Sequence, residues 1–115
     1  KKLSEEAPGI IAGFKGDNAE ILDKTDIIRI YSDSGKTVAV TEKGEYTVRR
    51  RLYEMEELLG GGLFVRISNS EIISLKKVAG FDMSFAGTIC VKLSNGTVTY
   101  ASRRYVSKIK KILGL

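Results

Sequence analysis

The chain contains no histidine and no tryptophan, and among its 115 residues cysteine and proline occur once each. A single thiol, Cys90, cannot close a disulfide within the chain, which argues against an oxidising compartment. Because the side chains that usually hold transition metals are almost absent, no metal or cofactor is expected. The same shortage, together with the lack of a phosphate-cradling glycine loop, makes an enzyme the least favoured class of function.

Long hydrophobic runs are also missing. Apolar stretches such as IIRIY and TICVKL are too short to cross a bilayer, and no segment resembles a secretion signal. We therefore expect a soluble cytoplasmic protein. Hydrophobic residues form 43% of the chain and are spread along it, which indicates one folded domain. Since the first residue is Lys rather than Met, we expect a fragment of a longer protein.

Acidic residues are scarce in the second half of the chain. Residues 1–48 carry seven Lys or Arg against nine Asp or Glu, a net charge of −2. Residues 49–115 carry twelve against five, a net charge of +7. This asymmetry favours a polyanionic partner, nucleic acid before an anionic membrane surface. On charge alone, a basic surface that only keeps the domain soluble is an equal alternative.

Short alternating segments separated by turn residues predict an antiparallel β domain. The segments 26–32 and 36–42 flank Asp33-Ser34-Gly35, and Asn95-Gly96 is the strongest hairpin signal in the chain. A period of two predicts a set of core-facing residues, Val38, Val40, Tyr46, Val48 and, later, Tyr100. The outward positions of the first hairpins are then Thr37, Thr41, Glu45 and Thr47.

Two segments change to helical periodicity, residues 49–62 and 102–114. The second begins at Ser102, a good N-cap residue, and ends at Gly114. On a helical wheel it divides into an apolar face, expected to pack on the sheet, and a cationic face. The apolar face consists of Tyr105, Val106, Ile109, Ile112 and Leu113. The cationic face consists of Arg103, Arg104, Lys108, Lys110 and Lys111. A membrane-surface helix is the alternative, but the apolar face lacks Trp and Phe.

The segment FVRISNSEIISL reads as one strand interrupted by Ser68-Asn69-Ser70. An unpaired amide inside a buried strand costs about 1 to 3 kcal/mol, so we expect the chain to leave the sheet there and expose Asn69. An exposed Asn amide both donates and accepts, which suits adenine or a phosphate. The alternative is an ordinary turn between two strands, which Ser and Asn also form well.

The stretch FVRISNSEIISLKKV, the hairpin at Asn95-Gly96 and the terminal YASRRYVSKIKKILG together resemble the LytTR-type DNA-binding domain of bacterial transcription regulators. The upstream ILDKTDIIRIYSDSGKTVAV resembles the opening strand and first hairpin of that family. The resemblance assigns residues 19–115 to this domain and leaves residues 1–18 as an N-terminal extension or first strand. It implies an elongated all-β sandwich of about ten strands in three antiparallel sheets, with one or two short helices.

Three base-contacting positions are implied by the resemblance. Lys36 stands where several family members have a base-reading His, a departure that puts this contact in doubt, although Lys can reach guanine or a phosphate. Asn69 corresponds to a contacting Asn, and Arg104 corresponds to a base-reading Arg with Arg103 as its neighbour. Family members insert loops into two successive major grooves and contact the minor-groove face between them.

The resemblance implies a sequence-specific regulator of transcription that binds double-stranded DNA without catalysis or a small-molecule substrate. Family members usually bind direct repeats as dimers, and stand-alone members often have a small membrane regulatory protein as partner. Phosphate contacts are expected from a cationic cluster, Arg66, Lys76, Lys77, Arg103, Arg104, Lys108, Lys110 and Lys111. Two alternatives are a protein-interaction module and a single-strand nucleic-acid-binding β domain. The inward register predicted for Tyr46 and Tyr100 counts against the second.

Overall fold

The computed structural model describes residues 9–115, so residues 1–8 of the predicted N-terminal extension lie outside the described residues. Seven strands form one antiparallel sheet: β1 Ala12–Lys15, β2 Asn18–Ile21, β3 Ile27–Asp33, β4 Lys36–Thr41, β5 Gly44–Val48, β6 Phe64–Ser68 and β7 Glu71–Ser74. Three form a second: β8 Val78–Asp82, β9 Ile89–Leu93 and β10 Val98–Ala101. The helices are α1 Leu52–Leu59 and α2 Arg103–Ile112, with 3₁₀ turns at Lys24–Asp26 and Leu75–Lys77.

The strand order is β2-β1-β5-β4-β3-β7-β6 in the large sheet and β10-β9-β8 in the small one. The expected elongated all-β domain of about ten strands is confirmed, with extents of 43 × 29 × 25 Å. The expectation of three sheets is wrong, because the described residues form two sheets. The reason is that Phe14 pairs with Thr47, which joins the β1–β2 hairpin to the edge of the large sheet.

Apolar side chains on both faces of the large sheet divide the molecule into three layers. One core lies between this sheet and α1. Its larger members are Ile11, Ile27, Ile30, Tyr46, Val48, Leu52, Met55, Leu59 and Ile72. The other core lies between the opposite face, the small sheet and α2. Its members include Ile28, Val65, Ile67, Ile73, Ile89, Val91, Leu93 and Ile109. Alternation along β3 and β7 sends neighbouring isoleucines into different cores.

The predicted register is wrong for β4 and right for β5. Tyr46 and Val48 are buried, with Glu45 and Thr47 outside, as predicted. Their cross-strand partners are Ala39 and Thr37, and directly paired residues point to the same face of a sheet. Ala39 therefore faces the α1 core, and Val38 and Val40 point away from it. Val40 is nevertheless buried, as predicted, whereas Val38 is only half-buried. Thr37 and Thr41, predicted outside, are buried.

Two further expectations about burial are wrong. Tyr100 is 51% exposed, because β10 is an edge strand whose outer face carries this ring. On α2, Ile109 is buried but Ile112 and Leu113 are exposed, so only the first part of the apolar face packs on the sheet.

The hairpin at Asn95-Gly96 is confirmed, with Gly96 at φ 91°. Neither described helix is long and apolar enough to cross a membrane.

Candidate nucleic-acid interface

The large sheet has two ends with different contents. The end that we call the loop end is formed by residues 33–36, 48–51 and 68–70, with the start of α2 at 102–105. Two hydrogen bonds hold these pieces together: Ser32 N–H donates to Ser70 O, and Ser102 N–H donates to Ile67 O. The opposite end, which we call the turn end, is formed by residues 22–26, 42–43 and 75–77.

The Ser68-Asn69-Ser70 turn leaves the sheet at the loop end, and Asn69 is exposed as predicted. The turn is held from below by Arg66. Its Nε donates to Ser68 O at 2.8 Å, its Nη2 to Asn69 O at 2.7 Å, and its Nη1 to Glu56 Oε1 on α1 at 2.7 Å. Every nitrogen of the guanidinium is therefore used within the protein. Arg66, predicted as a phosphate contact, acts in this structure as the support of the turn.

Asn69 lies beside the start of α2. Its Oδ1 accepts long hydrogen bonds from Arg104 Nη1 and from the Tyr105 hydroxyl, each at 3.4 Å. Because the amide oxygen is turned towards these donors, the amide NH₂ points to the other side. The structure thus brings Asn69 and Arg104, two of the predicted base-contacting residues, into direct contact on an exposed surface.

Lys36 lies at the tip of the β3–β4 hairpin, where it pairs with Asp33 across a turn with Ser34 at φ 52° and Gly35 at φ 81°. It is exposed. The hairpin tip and the Asn69 turn are separated by two strand spacings, or about 10 Å at 4.8 Å per strand. Lys36 therefore belongs to the same end of the sheet as Asn69.

The remaining cations of α2 are exposed but face different neighbours. Arg103 approaches the β8–β9 loop, where a Cβ on Gly87 would lie 3.4 Å from its Nη2. Lys110 and Lys111 line the same depression as Arg103. Lys108 instead shares a depression with the acidic residues of α1 and lies on the side of the helix that faces them. The cationic face is thus split between two surfaces.

Lys76 and Lys77, which were predicted to join the cationic cluster, lie at the turn end. They form the 3₁₀ turn that follows β7, whereas Asn69 precedes β7. Lys77 also makes an ion pair with Glu42 at 2.8 Å. A strand of four residues, about 13 Å long, separates these lysines from the Asn69 turn.

Two contributors to the loop end are not evident in the sequence. Tyr105 counts as part of the apolar face of α2, yet its hydroxyl reaches Asn69. Glu71, directly after the turn, is buried and accepts hydrogen bonds from Arg29 Nε on β3 and from Thr99 Oγ1 on β10 at 2.6 Å. This carboxylate ties the two sheets together below the turn. The only sequence signal for it is an acid at the start of an otherwise apolar strand.

Amide, guanidinium and ammonium groups, which this domain gathers at one end of its sheet, are the side-chain groups that contact bases and phosphates in nucleic-acid-binding proteins. Residues 17–114 match the LytTr DNA-binding domain family, and the chain belongs to that family. It is therefore the DNA-binding domain of a transcription regulator. Among residues 9–115, no group of three or more His, Cys, Asp and Glu side chains is arranged to hold a metal ion.

Similar proteins agree with this assignment. A protein of Staphylococcus aureus strain NCTC 8325 is 30% identical over 105 residues, covering 91% of this chain and 71% of that protein. A counterpart from strain MRSA252 is 29% identical over the same length. Both are named uncharacterized HTH-type transcriptional regulators. A solved LytTr DNA-binding domain from Bacillus cereus superposes with a TM-score of 0.87 at 22% identity, covering 92% of this chain and 97% of that one.

Proposed function

We propose that the domain binds double-stranded DNA through its loop end and reads sequence with Lys36, Asn69 and Arg104. The observation that carries this proposal is the contact between Asn69 and Arg104 on an exposed surface. Guanidinium and amide groups are the side-chain groups that pair in bidentate fashion with guanine and adenine. Their mutual hydrogen bonds are long, so DNA can replace them at small cost.

Affinity is proposed to come from phosphate contacts by the exposed cations around this end. Arg103, Lys110 and Lys111 flank Arg104 along one helix, where the seven helical steps from Arg104 to Lys111 span about 10 Å. Lys108 contributes less, because the acids of α1 oppose its charge. Lys76 and Lys77 contribute least, since they lie at the turn end. Arg66 contributes by holding the Asn69 turn in place.

The test begins with selection of preferred sites from a random duplex pool at a stated salt concentration. Replacement of Arg104 by Ala should weaken binding to the selected site by about 5- to 100-fold and relax preference at one base pair. Asn69→Ala should relax the sequence preference at a different base pair. The double variant Lys76→Ala/Lys77→Ala removes two charges at the turn end and serves as the control, with much smaller loss.

Two results would contradict the proposal. One is a wild-type domain that binds every duplex with the same affinity. The other is an Arg104→Ala variant that keeps both the affinity and the base preference of the wild type, with a folded state verified by circular dichroism.

We further propose, from the family resemblance, that the domain acts in the cytoplasm on direct repeats as a homodimer, without catalysis. A small membrane regulatory protein is a proposed partner on the same basis. If dimers form on DNA, a duplex with two repeats should bind cooperatively, and changing the spacing by half a helical turn should abolish that cooperativity. Equal affinity for one and two repeats at every spacing would contradict this part.

Single-stranded nucleic acid is the second candidate ligand, because Tyr100 and Phe85 are exposed. Their rings meet edge to face, with 88° between planes and 5.7 Å between centroids. Two parallel bases cannot stack on rings set at right angles, so this pair makes a poor stacking platform. We expect duplex to bind more tightly than either of its strands, and the reverse order would favour this second candidate.

A further inference from the structure

The run Arg49-Arg50-Arg51 lies at the loop end and has no place in the predicted site. These three residues and Lys36 line a surface groove of about 440 Å³, which we call the arginine groove. Its other lining residues include Gly35, Thr37 and Glu54. One carboxylate, that of Glu54, stands against four cations, and its Oε1 accepts a hydrogen bond from the Arg51 backbone N–H at 2.7 Å.

Strand pairing places this groove next to Lys36. Thr37 on β4 and Val48 on β5 are register partners, so Lys36 and Arg49 are the next pair outward. Paired Cα atoms in an antiparallel ladder lie about 5 Å apart. Arg49 is exposed, and the central carbon of its guanidinium lies 4.2 Å from the centre of the Phe14 ring. Arg51 begins α1 and is exposed.

We propose that the arginine groove binds a phosphodiester of the DNA backbone, as a second anchor beside the base-reading residues. This inference rests on the proposed function. Each DNA strand carries a phosphate every 3.4 Å along the axis, as a general property of the duplex, so phosphates surround any base that Lys36 touches. A duplex close enough for Lys36 to reach a base edge therefore brings phosphates within reach of Arg49 and Arg51.

The second anchor lies on the far side of Lys36 from α2. From β5 to the Asn69 turn is three and a half strand spacings, or about 17 Å. Phosphate contacts from α2 and from the arginine groove would thus lie on opposite sides of Lys36 and Asn69. One anchor on each side restricts rotation of the domain relative to the duplex, and this fixes the register of the base contacts.

The test compares Arg49→Gln/Arg51→Gln with Lys24→Gln/Lys43→Gln, which removes the same charge at the turn end. Log Kd is measured against log salt for a selected duplex. Loss of one or two phosphate contacts should lower the slope by about 0.9 to 1.8 in magnitude for the groove variant. We expect a change below about 0.5 for the control. Arg49→Lys/Arg51→Lys keeps the charge and should restore most of the slope.

A second readout locates the contacts. Each backbone phosphate of the duplex is replaced in turn by a neutral methylphosphonate, and the loss of affinity is recorded. At one or two phosphates, replacement should weaken binding of the wild type but leave the affinity of the groove variant unchanged. Arg104→Ala and the turn-end control should keep that sensitivity. A groove variant with the wild-type pattern and slope would overturn the inference, whereas a wild type without duplex binding would overturn the proposed function itself.

Discussion

The two ends of the large sheet differ in their balance of charge: the loop end carries six basic residues and one acid, and the turn end carries four basic residues and three acids. At the turn end, Lys24, Lys43, Lys76 and Lys77 lie among Asp23, Asp26 and Glu42. Lys77 pairs with Glu42 at 2.8 Å there. At the loop end, Glu56 is bound to Arg66 below the Asn69 turn, and Lys36, Arg49, Arg51 and Arg104 are exposed. The comparison teaches that an excess of cations over the acids beside them separates a binding surface from an ordinary one.

The largest expected effect concerns the support of the loop end. Glu71→Ala removes the carboxylate that joins Arg29 and Thr99 and leaves a mostly buried guanidinium without its partner. Such a loss typically lowers the free energy of unfolding by about 3 to 5 kcal/mol. Urea unfolding measures it. Glu42→Ala breaks an exposed pair at the turn end and should change the same quantity by about 1 kcal/mol or less. Equal effects would remove the distinction between the two ends.

The next effect is on the Asn69 turn. Arg66→Ala removes the hydrogen bonds to Ser68 O, Asn69 O and Glu56, and charged hydrogen bonds of this kind are worth about 1.5 to 3 kcal/mol. We expect faster amide hydrogen exchange in residues 68–70 and weaker binding of the selected duplex. Arg66→Lys should restore the charge but not the binding, because one ammonium cannot serve three acceptors. Full recovery by Lys would mean that Arg66 acts through its charge alone.

A smaller effect is expected from a single phosphate contact. Lys110→Ala should weaken all duplexes alike, whatever their sequence, and lower the salt slope by about 0.9. The matched change Lys76→Ala at the turn end should leave the slope nearly unchanged. A sequence-dependent loss with Lys110→Ala would instead identify Lys110 as a base-reading residue.

The smallest effect is on acid stability and concerns two exposed turns, one at Asp23 in the turn end and one at Asp82, where β8 of the small sheet ends. The Thr25 backbone N–H lowers the pKa of Asp23, and the Ser84 hydroxyl lowers the pKa of Asp82. A carboxyl with a lowered folded pKa stabilises the fold above its unfolded pKa, about 3.9 for Asp, and this stabilisation is lost as the pH falls through the folded pKa. Asp23→Ala/Asp82→Ala should therefore lose less stability than the wild type between pH 5 and pH 3. Identical losses in urea unfolding would contradict this.

Local patterns in the sequence predict the elements and part of the site. The Asn95-Gly96 hairpin, the exposed Asn69 turn and the start of α2 at Ser102 each depend on a few neighbouring residues, so the sequence suffices for them. The register of β4 is different, because Val38-Ala39-Val40 is apolar in either frame. Only the pairing of Ala39 with Tyr46 decides which side faces the core.

By itself, the sequence determined an all-β domain with a basic second half and an amide exposed between two strands, because these follow from period, turn chemistry and composition. Only the tertiary structure decided which cations share a surface. It joined Asn69 to Arg104 across 35 positions of the chain, sent Lys76 and Lys77 to the turn end, and placed Arg49 beside Lys36. The physical reason is that antiparallel pairing brings alternate loops to the same end of a sheet, and strand order is not written in any local stretch.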